Sequence, residues 1–304
     1  MQSELSIRLN DDGYKNWIKA GLCLQKIRDC LHGFVRTEIE KFHQILLGTN
    51  PNLRQRICSN YCRSQGTKFQ KACFVCEEWK REILKHHTNQ NSTIYWGNCS
   101  PLLWPTNAWE VAKVYMPRGQ ANRRGPENCD AAALLNLFIF CDHFHFERQK
   151  LIEVIKCRND LMHSVEMSVS VEWFKNYRRK ILVLLQEFQN IPEAKAANKM
   201  IQEVTSSDWK VKMTVTDAVD AAVKFTDEEF DVGEVYNVEL DLIKEWAEEL
   251  SLALEEQEPL QQHLNSLNTF KEFLKRNKEL ESMLHKELQQ LFILEKRLNS
   301  GKDL

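Results

Sequence analysis

Hydrophobic residues recur every three or four positions along most of this chain, a spacing that predicts amphipathic helices. The first helix is predicted over residues 14–31 and the second over residues 34–47, where Gly48 and Pro51 end it. Further helices are predicted over residues 77–87, 108–115, 130–141, 151–163 and 171–190. The pattern therefore predicts an all-α fold, a bundle of helices joined by loops.

The chain beyond residue 200 is patterned differently. Residues 205–234 are acidic and weakly periodic, which predicts a linker. From residue 238 to 298 the helical pattern returns, and its apolar residues fit the a and d positions of a heptad: Leu267, Phe270, Leu274, Leu284, Leu288, Leu291 and Leu298. We therefore expect a helical domain over 1–200, an acidic linker over 201–236, and a helical hairpin or coiled coil over 237–304.

Composition narrows the class of protein. The chain has 304 residues, of which 43% are hydrophobic, and its longest nearly apolar run, residues 131–141, is too short to cross a bilayer. The first residues show neither a basic nor an apolar region of a secretory signal. Ten cysteines without such a signal indicate a reducing compartment. We expect an intracellular protein of the cytoplasm or nucleus, neither secreted nor bound to a membrane.

The net charge of −2 conceals two halves of opposite sign. Residues 1–200 contain 29 Lys and Arg against 20 Asp and Glu, a balance of +9, whereas residues 201–304 contain 12 against 23, a balance of −11. A basic region suits a polyanion such as RNA, although +9 over 200 residues is also an ordinary protein surface. The acidic region fits a solvated surface, a site for a protein partner, or an internal competitor for the basic face.

One basic loop stands out in the first half. Residues 116–126 are punctuated by Gly and Pro, which predicts an irregular loop, and they carry Arg118, Arg123 and Arg124. Together with Lys156, these arginines are the candidate RNA-binding residues.

Four cysteines fall within nineteen residues, as Cys58-x3-Cys62 and Cys73-x2-Cys76. The Cys-x2-Cys spacing is typical of a zinc knuckle, because two thiolates at that distance can bind one tetrahedral ion. Four protein ligands would leave no open position, so zinc here would be structural and not catalytic. Two alternatives remain: the thiols hold no metal, or Cys58 or Cys62 is not used and the replacement ligand is His86, His87 or Cys99.

The helix predicted over 151–163 carries a charge on its apolar face. Its hydrophobic stripe comprises Leu151, Val154, Ile155, Leu161, Met162 and Val165. Arg158 points along the centre of this stripe, while Asn159 and His163 share a flank. Because a buried charge must be paired, we expect Arg158 to meet a partner subunit, a bound phosphate or a carboxylate of this chain, with Asp130, Asp142 and Glu153 as candidates.

The motif Arg158-Asn159-x3-His163, followed by Ser164, resembles the signature of the HEPN superfamily (higher eukaryote and prokaryote nucleotide-binding domains). Within it, the chain looks most like the branch found with RING-type ubiquitin ligases and NLR-like proteins. In that branch an Asp-x3-Leu-Leu helix comes first, here Asp130 to Leu135, and an aromatic-led helix follows, here at Trp173 and Phe174. The resemblance covers roughly residues 1–190, with a Cys-rich insertion over 58–99.

The resemblance implies a helical bundle that forms a homodimer through the motif helix. In active members it also implies metal-independent cleavage of RNA through its own 2′-OH. His163 would then transfer the proton, since imidazole changes protonation near neutral pH. Arg158 would bind the scissile phosphate and stabilise its transition state, and Asn159 would orient either group.

Two functions fit these observations. The first is an RNA-binding HEPN protein that acts as an endoribonuclease with no catalytic cofactor. The second is a non-catalytic adaptor, in which the HEPN fold dimerises, Arg158 and His163 hold the dimer together, and the acidic helical tail recruits a protein partner.

Overall fold

The computed structural model describes residues 8, 10–54, 58, 62–70, 72–89, 91–164, 167–207, 210–212, 224–226, 232–256 and 260–300. Helices predominate among them: α1 (Asp12–Thr49), α2 (Phe74–Lys85), α3 (Ala108–Ala112), α4 (Ala131–Phe140), α5 (Arg148–Met162), α6 (Val171–Glu187), α7 (Ala194–Ser206), α8 (Val232–Glu256), α9 (Leu260–Arg276), α10 (Lys278–Met283) and α11 (His285–Ser300). This confirms the predicted all-α class. No helix in these ranges is both long and apolar enough to cross a membrane.

The described strands are short and form two antiparallel pairs. Strand β1 (Arg63–Gln65) pairs with β2 (Lys68–Gln70) around a turn at Gly66, whose φ of +54° favours glycine. Strand β3 (Lys210–Lys212) pairs with β4 (Lys224–Thr226) inside the segment predicted as a linker.

The chain folds into two compact units. The motif unit, which contains the motif residues Arg158, Asn159 and His163, consists of Met1–Cys23, Cys157–Arg179 and Ile201–Leu304. The cysteine unit, which contains the four-cysteine cluster, consists of Leu24–Lys156 and Lys180–Met200. The divisions fall inside α1, α5, α6 and α7, so neither unit is a continuous stretch of sequence.

Helix α1 replaces the two helices that the sequence predicted over residues 14–31 and 34–47. That prediction was wrong because Gly33 does not end the helix. A single glycine inside a helix costs only about 1 kcal/mol relative to alanine. Leu31 and Val35, on either side of Gly33, are fully buried, and their burial outweighs that cost.

The tail residues form much of the core of the motif unit. Helices α9 and α11 both pack against α8, and the ring of Trp246 on α8 meets that of Phe270 on α9 edge-on, with centroids 4.7 Å apart. Most of the predicted heptad residues are buried: Leu267, Phe270, Leu274, Leu284 and Leu291. The side chain of Leu298 lies outside the described residues. Asn277 lies between the end of α9 and the start of α10.

In the cysteine unit, α4 is an almost wholly buried helix whose start is defined by Asp130. The Asp130 carboxylate accepts a 2.7 Å hydrogen bond from the backbone N–H of Ala133, which caps the helix. Leu134 and Leu135 are buried behind it. The Asp-x3-Leu-Leu pattern therefore has a local physical basis as a capped, buried helix start.

Candidate functional site

The motif helix α5 buries the stripe that its sequence predicted. Leu151, Val154, Leu161 and Met162 are buried, Ile155 is half-buried, and Arg158 lies on the same stripe with only 4% of its surface exposed. Val165 lies outside the described residues. The prediction that Arg158 points into the core is therefore confirmed, and its charge must be compensated there.

Two carboxylates of the acidic helix α8 compensate Arg158. Its Nε donates a 3.0 Å hydrogen bond to Oε1 of Glu245, its Nη2 donates to the same oxygen, and its Nη1 donates to Glu249. Glu245 and Glu249 are four residues apart and so share one face of α8. Their side chains are 25% and 33% exposed. Helix α8 therefore contacts both edges of the guanidinium.

The expected carboxylate partners Asp130, Asp142 and Glu153 were wrong, because each is engaged elsewhere. Asp130 caps α4, and Asp142 lies 2.8 Å from Nδ1 of His86. Glu153 pairs with Lys180 at 2.7 Å. Sequence reasoning missed Glu245 and Glu249 because they lie 87 and 91 residues from Arg158, and the acidic tail offers many equivalent carboxylates.

Asn159 and His163 differ from the buried Arg158 in their exposure to solvent. Both side chains are exposed, and His163 directly follows the last residue of α5, where its backbone N–H donates 3.0 Å to the carbonyl oxygen of Asn159. The motif therefore divides into a buried guanidinium paired with carboxylates and an exposed amide and imidazole that solutes can reach.

The end of the motif helix is anchored to the first turns of α1. The indole Nε1 of Trp17 donates a 3.0 Å hydrogen bond to the carbonyl of Leu161, and the N–H of Val169 donates 3.1 Å to the carbonyl of Gly13. Trp17 is 1% exposed, so the Leu161 bond is shielded from water. These bonds position the turn that carries His163.

A second buried ion pair involves α8 in the motif unit. Glu239 is completely buried, and its Oε1 accepts hydrogen bonds from Nε of Arg8, at 2.7 Å, and from the hydroxyl of Tyr14. Nη1 of Arg8 also donates 2.7 Å to Oδ1 of Asn277. Sequence reasoning missed this pair, since neither Arg8 nor Glu239 belongs to a motif.

The candidate RNA-binding loop belongs to the cysteine unit. Arg124 is exposed, whereas Arg118 and Arg123 are half-buried. The backbone is held locally: Nε1 of Trp109 donates 3.0 Å to the carbonyl of Arg123, and Gly119 has a φ of +96°. The loop therefore presents its arginines from a defined backbone.

Arg124 also lines an open cavity of about 350 Å³ in the cysteine unit, together with Arg36, His43 and Trp109. Lys156, the remaining candidate RNA-binding residue, is exposed on α5 and lies 3.5 Å from Glu153. The structure thus makes Arg124 and Lys156 accessible to a polyanion.

The four predicted cysteines come together in one cluster. Their sulfur atoms all lie within 4.8 Å of one another, and the Sγ atoms of Cys73 and Cys58 are 3.7 Å apart. Thiolates at about 2.3 Å from a tetrahedral zinc ion are separated by about 3.8 Å. The cluster is therefore already close to the size of a four-thiolate metal site.

The hairpin of β1 and β2 brings the two cysteine pairs together, because it returns the chain from Cys62 to Cys73. The N–H of Cys73 donates 3.1 Å to Sγ of Cys62. Burial raises the pKa of the Cys62 and Cys76 thiols, so that thiolates there require a nearby cation. A divalent metal ion supplies that charge.

The alternative ligands lie outside this cluster in the described part of the chain. Cys99 donates 3.3 Å to the carbonyl of Trp96, and His86 faces Asp142. His87 is stacked between Tyr115 and Phe140. The arrangement favours Cys58, Cys62, Cys73 and Cys76 as one set of metal ligands.

Comparisons with known proteins place both units in one family domain. A family model described as Domain of unknown function (DUF4559) matches residues 8–303. The mouse protein named Uncharacterized protein CXorf38 homolog is 45% identical over 293 residues, which cover 95% of this chain and 92% of the mouse protein. No solved structure gives a significant match.

Proposed function

Since this chain belongs to the DUF4559 family, which is described as a domain of unknown function, we propose a function from its own residues: it is an RNA-binding protein of the HEPN type whose motif cleaves RNA. One observation carries this proposal. Asn159 and His163 are exposed near the end of α5, and the arginine that directly precedes Asn159 already binds two oxyanions through its guanidinium. A guanidinium fork that accepts carboxylates also accepts phosphate oxygens.

The chemistry needs no metal at the reacting centre. The 2′-oxygen attacks the adjacent phosphorus as its proton passes to a base, and the 5′-oxygen leaves with a proton from an acid. His163 acts in one of these two transfers, and Arg158 stabilises the additional negative charge on the phosphorane. The products are a 2′,3′-cyclic phosphate and a 5′-hydroxyl end. A homodimer that pairs two motif helices provides a second imidazole for the other transfer.

Zinc has a structural role in this proposal. Cys58, Cys62, Cys73 and Cys76 bind one zinc ion, which joins the hairpin to the start of α2 and leaves no ligand position open for substrate. RNA contacts outside the motif come from Arg118, Arg123, Arg124 and Lys156 through their charge.

The test is cleavage of total cellular RNA without added divalent ions. The wild type is compared with His163→Ala and with a control, His285→Ala, which removes an exposed imidazole from α11 of the same unit. The wild type and the control should leave cyclic phosphate ends, while His163→Ala lowers the rate by about 10²- to 10⁴-fold. A DNA strand of matched sequence should stay intact because it lacks the 2′-hydroxyl.

A second candidate function, the non-catalytic adaptor, is favoured by the same ion pair. A buried arginine between two carboxylates is also a stable structural clamp, and the acidic tail then serves a protein partner. The adaptor is preferred if RNA is neither bound nor cut by the folded wild type or by a variant with Glu245→Gln and Glu249→Gln.

A further inference from the structure

The contact between α5 and α8 uses the same atoms of Arg158 that a phosphate requires. Glu245 accepts from the edge formed by Nε and Nη2, and Glu249 accepts from Nη1. A phosphate that binds the guanidinium in a bidentate manner needs one of these edges. The carboxylates of α8 and a phosphate group therefore exclude each other at Arg158.

Charge reinforces this exclusion. Between Val235 and Leu254, α8 carries five acidic residues and one lysine: Glu239, Asp241, Glu245, Glu248, Glu249 and Lys244. When the positive charge of Arg158 is added to those of these residues, their net charge is still negative. An RNA strand approaching the motif would thus meet repulsion from α8 as well as an occupied guanidinium.

The clamp formed by Arg158, Glu245 and Glu249 leaves one carboxylate oxygen without a hydrogen-bond partner in the described part of the chain, which favours exchange of a carboxylate for another anion. The second oxygen of Glu249, Oε2, is buried without a hydrogen-bond partner in the described part of the chain, and so is Nε1 of the neighbouring Trp246. A buried polar atom without a partner is destabilising, so part of the attraction between Arg158 and Glu249 is offset. Both carboxylates also remain partly exposed, so water and ions can reach them.

From these contacts we infer that α8 is an internal competitor for phosphate, so that the chain described here is a closed form in which Glu245 and Glu249 occupy the phosphate site of Arg158. This inference rests on the proposed RNA-binding function of the motif. RNA binds with its intrinsic affinity only to molecules in which the carboxylates of Glu245 and Glu249 have released Arg158, and the apparent affinity is reduced according to the fraction of such molecules.

The experiment compares the wild type with full-length protein carrying Glu245→Gln and Glu249→Gln, which we call the clamp variant. These amides keep the shape of the side chains but remove both charges from the clamp. A control with Glu272→Gln and Glu279→Gln removes two exposed carboxylates from the same unit, outside α8, without changing the contacts of Arg158. Each protein is titrated with a fluorescent single-stranded RNA and with tripolyphosphate, and hydrogen exchange is followed in α8.

The clamp variant should bind RNA about tenfold more tightly than the wild type, a typical coupling between two sites, and should cleave it faster. The control should resemble the wild type. Adding His163→Ala to the clamp variant should lower the cleavage rate by about 10²- to 10⁴-fold but keep the tighter binding. Tripolyphosphate should accelerate exchange in α8 of the wild type, and adding Arg158→Gln should remove that response.

The possible failures are distinguishable. Equal RNA affinity and cleavage in the wild type and the clamp variant overturn the internal competition while the proposed function stands. If tripolyphosphate accelerates hydrogen exchange in α8 but RNA is not bound by any variant, the competition stands and the RNA function fails. If the double variant does not fold, the single substitution Glu249→Gln replaces it, because Glu249 is one-third exposed and already has an unpaired oxygen.

Discussion

Gly21 on α1 lies so close to Leu242 on α8 that a β-carbon at position 21 would be 2.2 Å from Cδ1 of the leucine and 2.8 Å from its Cγ. Leu242 is 4% exposed, so its side chain has little room to rotate away. The glycine thus permits the close approach of two helices within the motif unit. This contact holds α8 one turn before Glu245.

Replacing Gly21 with alanine should therefore destabilise the protein. Overpacking of this kind costs about 1–3 kcal/mol, which exceeds the gain in helix propensity. Gly33→Ala is the matched control, because Gly33 lies in the same helix and, among the described residues, no atom outside its own stretch of helix lies within 4 Å of the added β-carbon. It should stabilise the protein by about 0.5–1 kcal/mol. Urea unfolding measures both, and equal stabilisation by the two substitutions would show that α8 does not pack on Gly21.

The sequence predicts the helices of this fold better than it predicts which side chains of different helices contact one another. Arg158 was predicted to be buried because periodicity alone places it on the apolar stripe of α5. Its partners could not be predicted, because Glu245 and Glu249 differ from the other acidic residues of α8 only by their position in space. Long-range ion pairs leave no periodic signal, whereas burial of a helix face does.

The cysteine cluster shows the opposite situation, since its spacing was enough to predict which residues meet. Cys58, Cys62, Cys73 and Cys76 are local in sequence, and a two-stranded hairpin closes the loop between them. Short loops constrain geometry strongly, so ligand sets within twenty residues can be read from sequence.

Metal content provides the next prediction. Purified protein should contain about one zinc ion per chain, and Cys76→Ser should lose it, with a lower melting temperature, because three thiolates bind zinc less tightly than four. Cys99→Ser is the control: Cys99 is buried nearby but lies outside the cluster, and a serine hydroxyl can still donate to the carbonyl of Trp96. Elemental analysis after dialysis measures the zinc content of each protein. Loss of zinc from both variants would argue for a different ligand set.

Stability should fall in mild acid because of His43. Burial lowers the pKa of His43 below its ordinary value of 6.5, and its Nε2 lies 2.7 Å from the carbonyl of Trp104 as a donor. Below about pH 6.5 the unfolded chain takes up a proton that the folded chain does not, so the free energy of unfolding decreases as pH falls. The glutamine in His43→Gln can still donate to Trp104 but does not titrate.

This variant should therefore lose less stability than the wild type between about pH 7.5 and about pH 5.5. The remaining slope belongs to groups such as His87, whose pKa is also lowered by burial. Thermal unfolding at several pH values gives these slopes, and identical slopes for His43→Gln and the wild type would contradict the assignment.

We expect the ion pair of Arg8 with Glu239 to hold α8 in place. Glu239 is completely buried, and removing Arg8 would leave its charge without a compensating cation. Arg8→Met should therefore destabilise the protein by about 3–5 kcal/mol. Tyr14→Phe removes one neutral donor from the same oxygen and should cost less, about 1–3 kcal/mol.

Adding Glu239→Gln to each variant distinguishes the contribution of the charge of Arg8 from that of the hydrogen bond of Tyr14. In the Arg8→Met background, Glu239→Gln should restore part of the lost stability, because it removes the uncompensated charge. In the Tyr14→Phe background it should restore nothing, because Arg8 would then lose its anionic partner. A double-mutant cycle in urea measures both combinations. Since Glu239 lies on the same helix as Glu245 and Glu249, hydrogen exchange in α8 should rise with Arg8→Met, and an unchanged rate would show that Arg8 does not hold this helix.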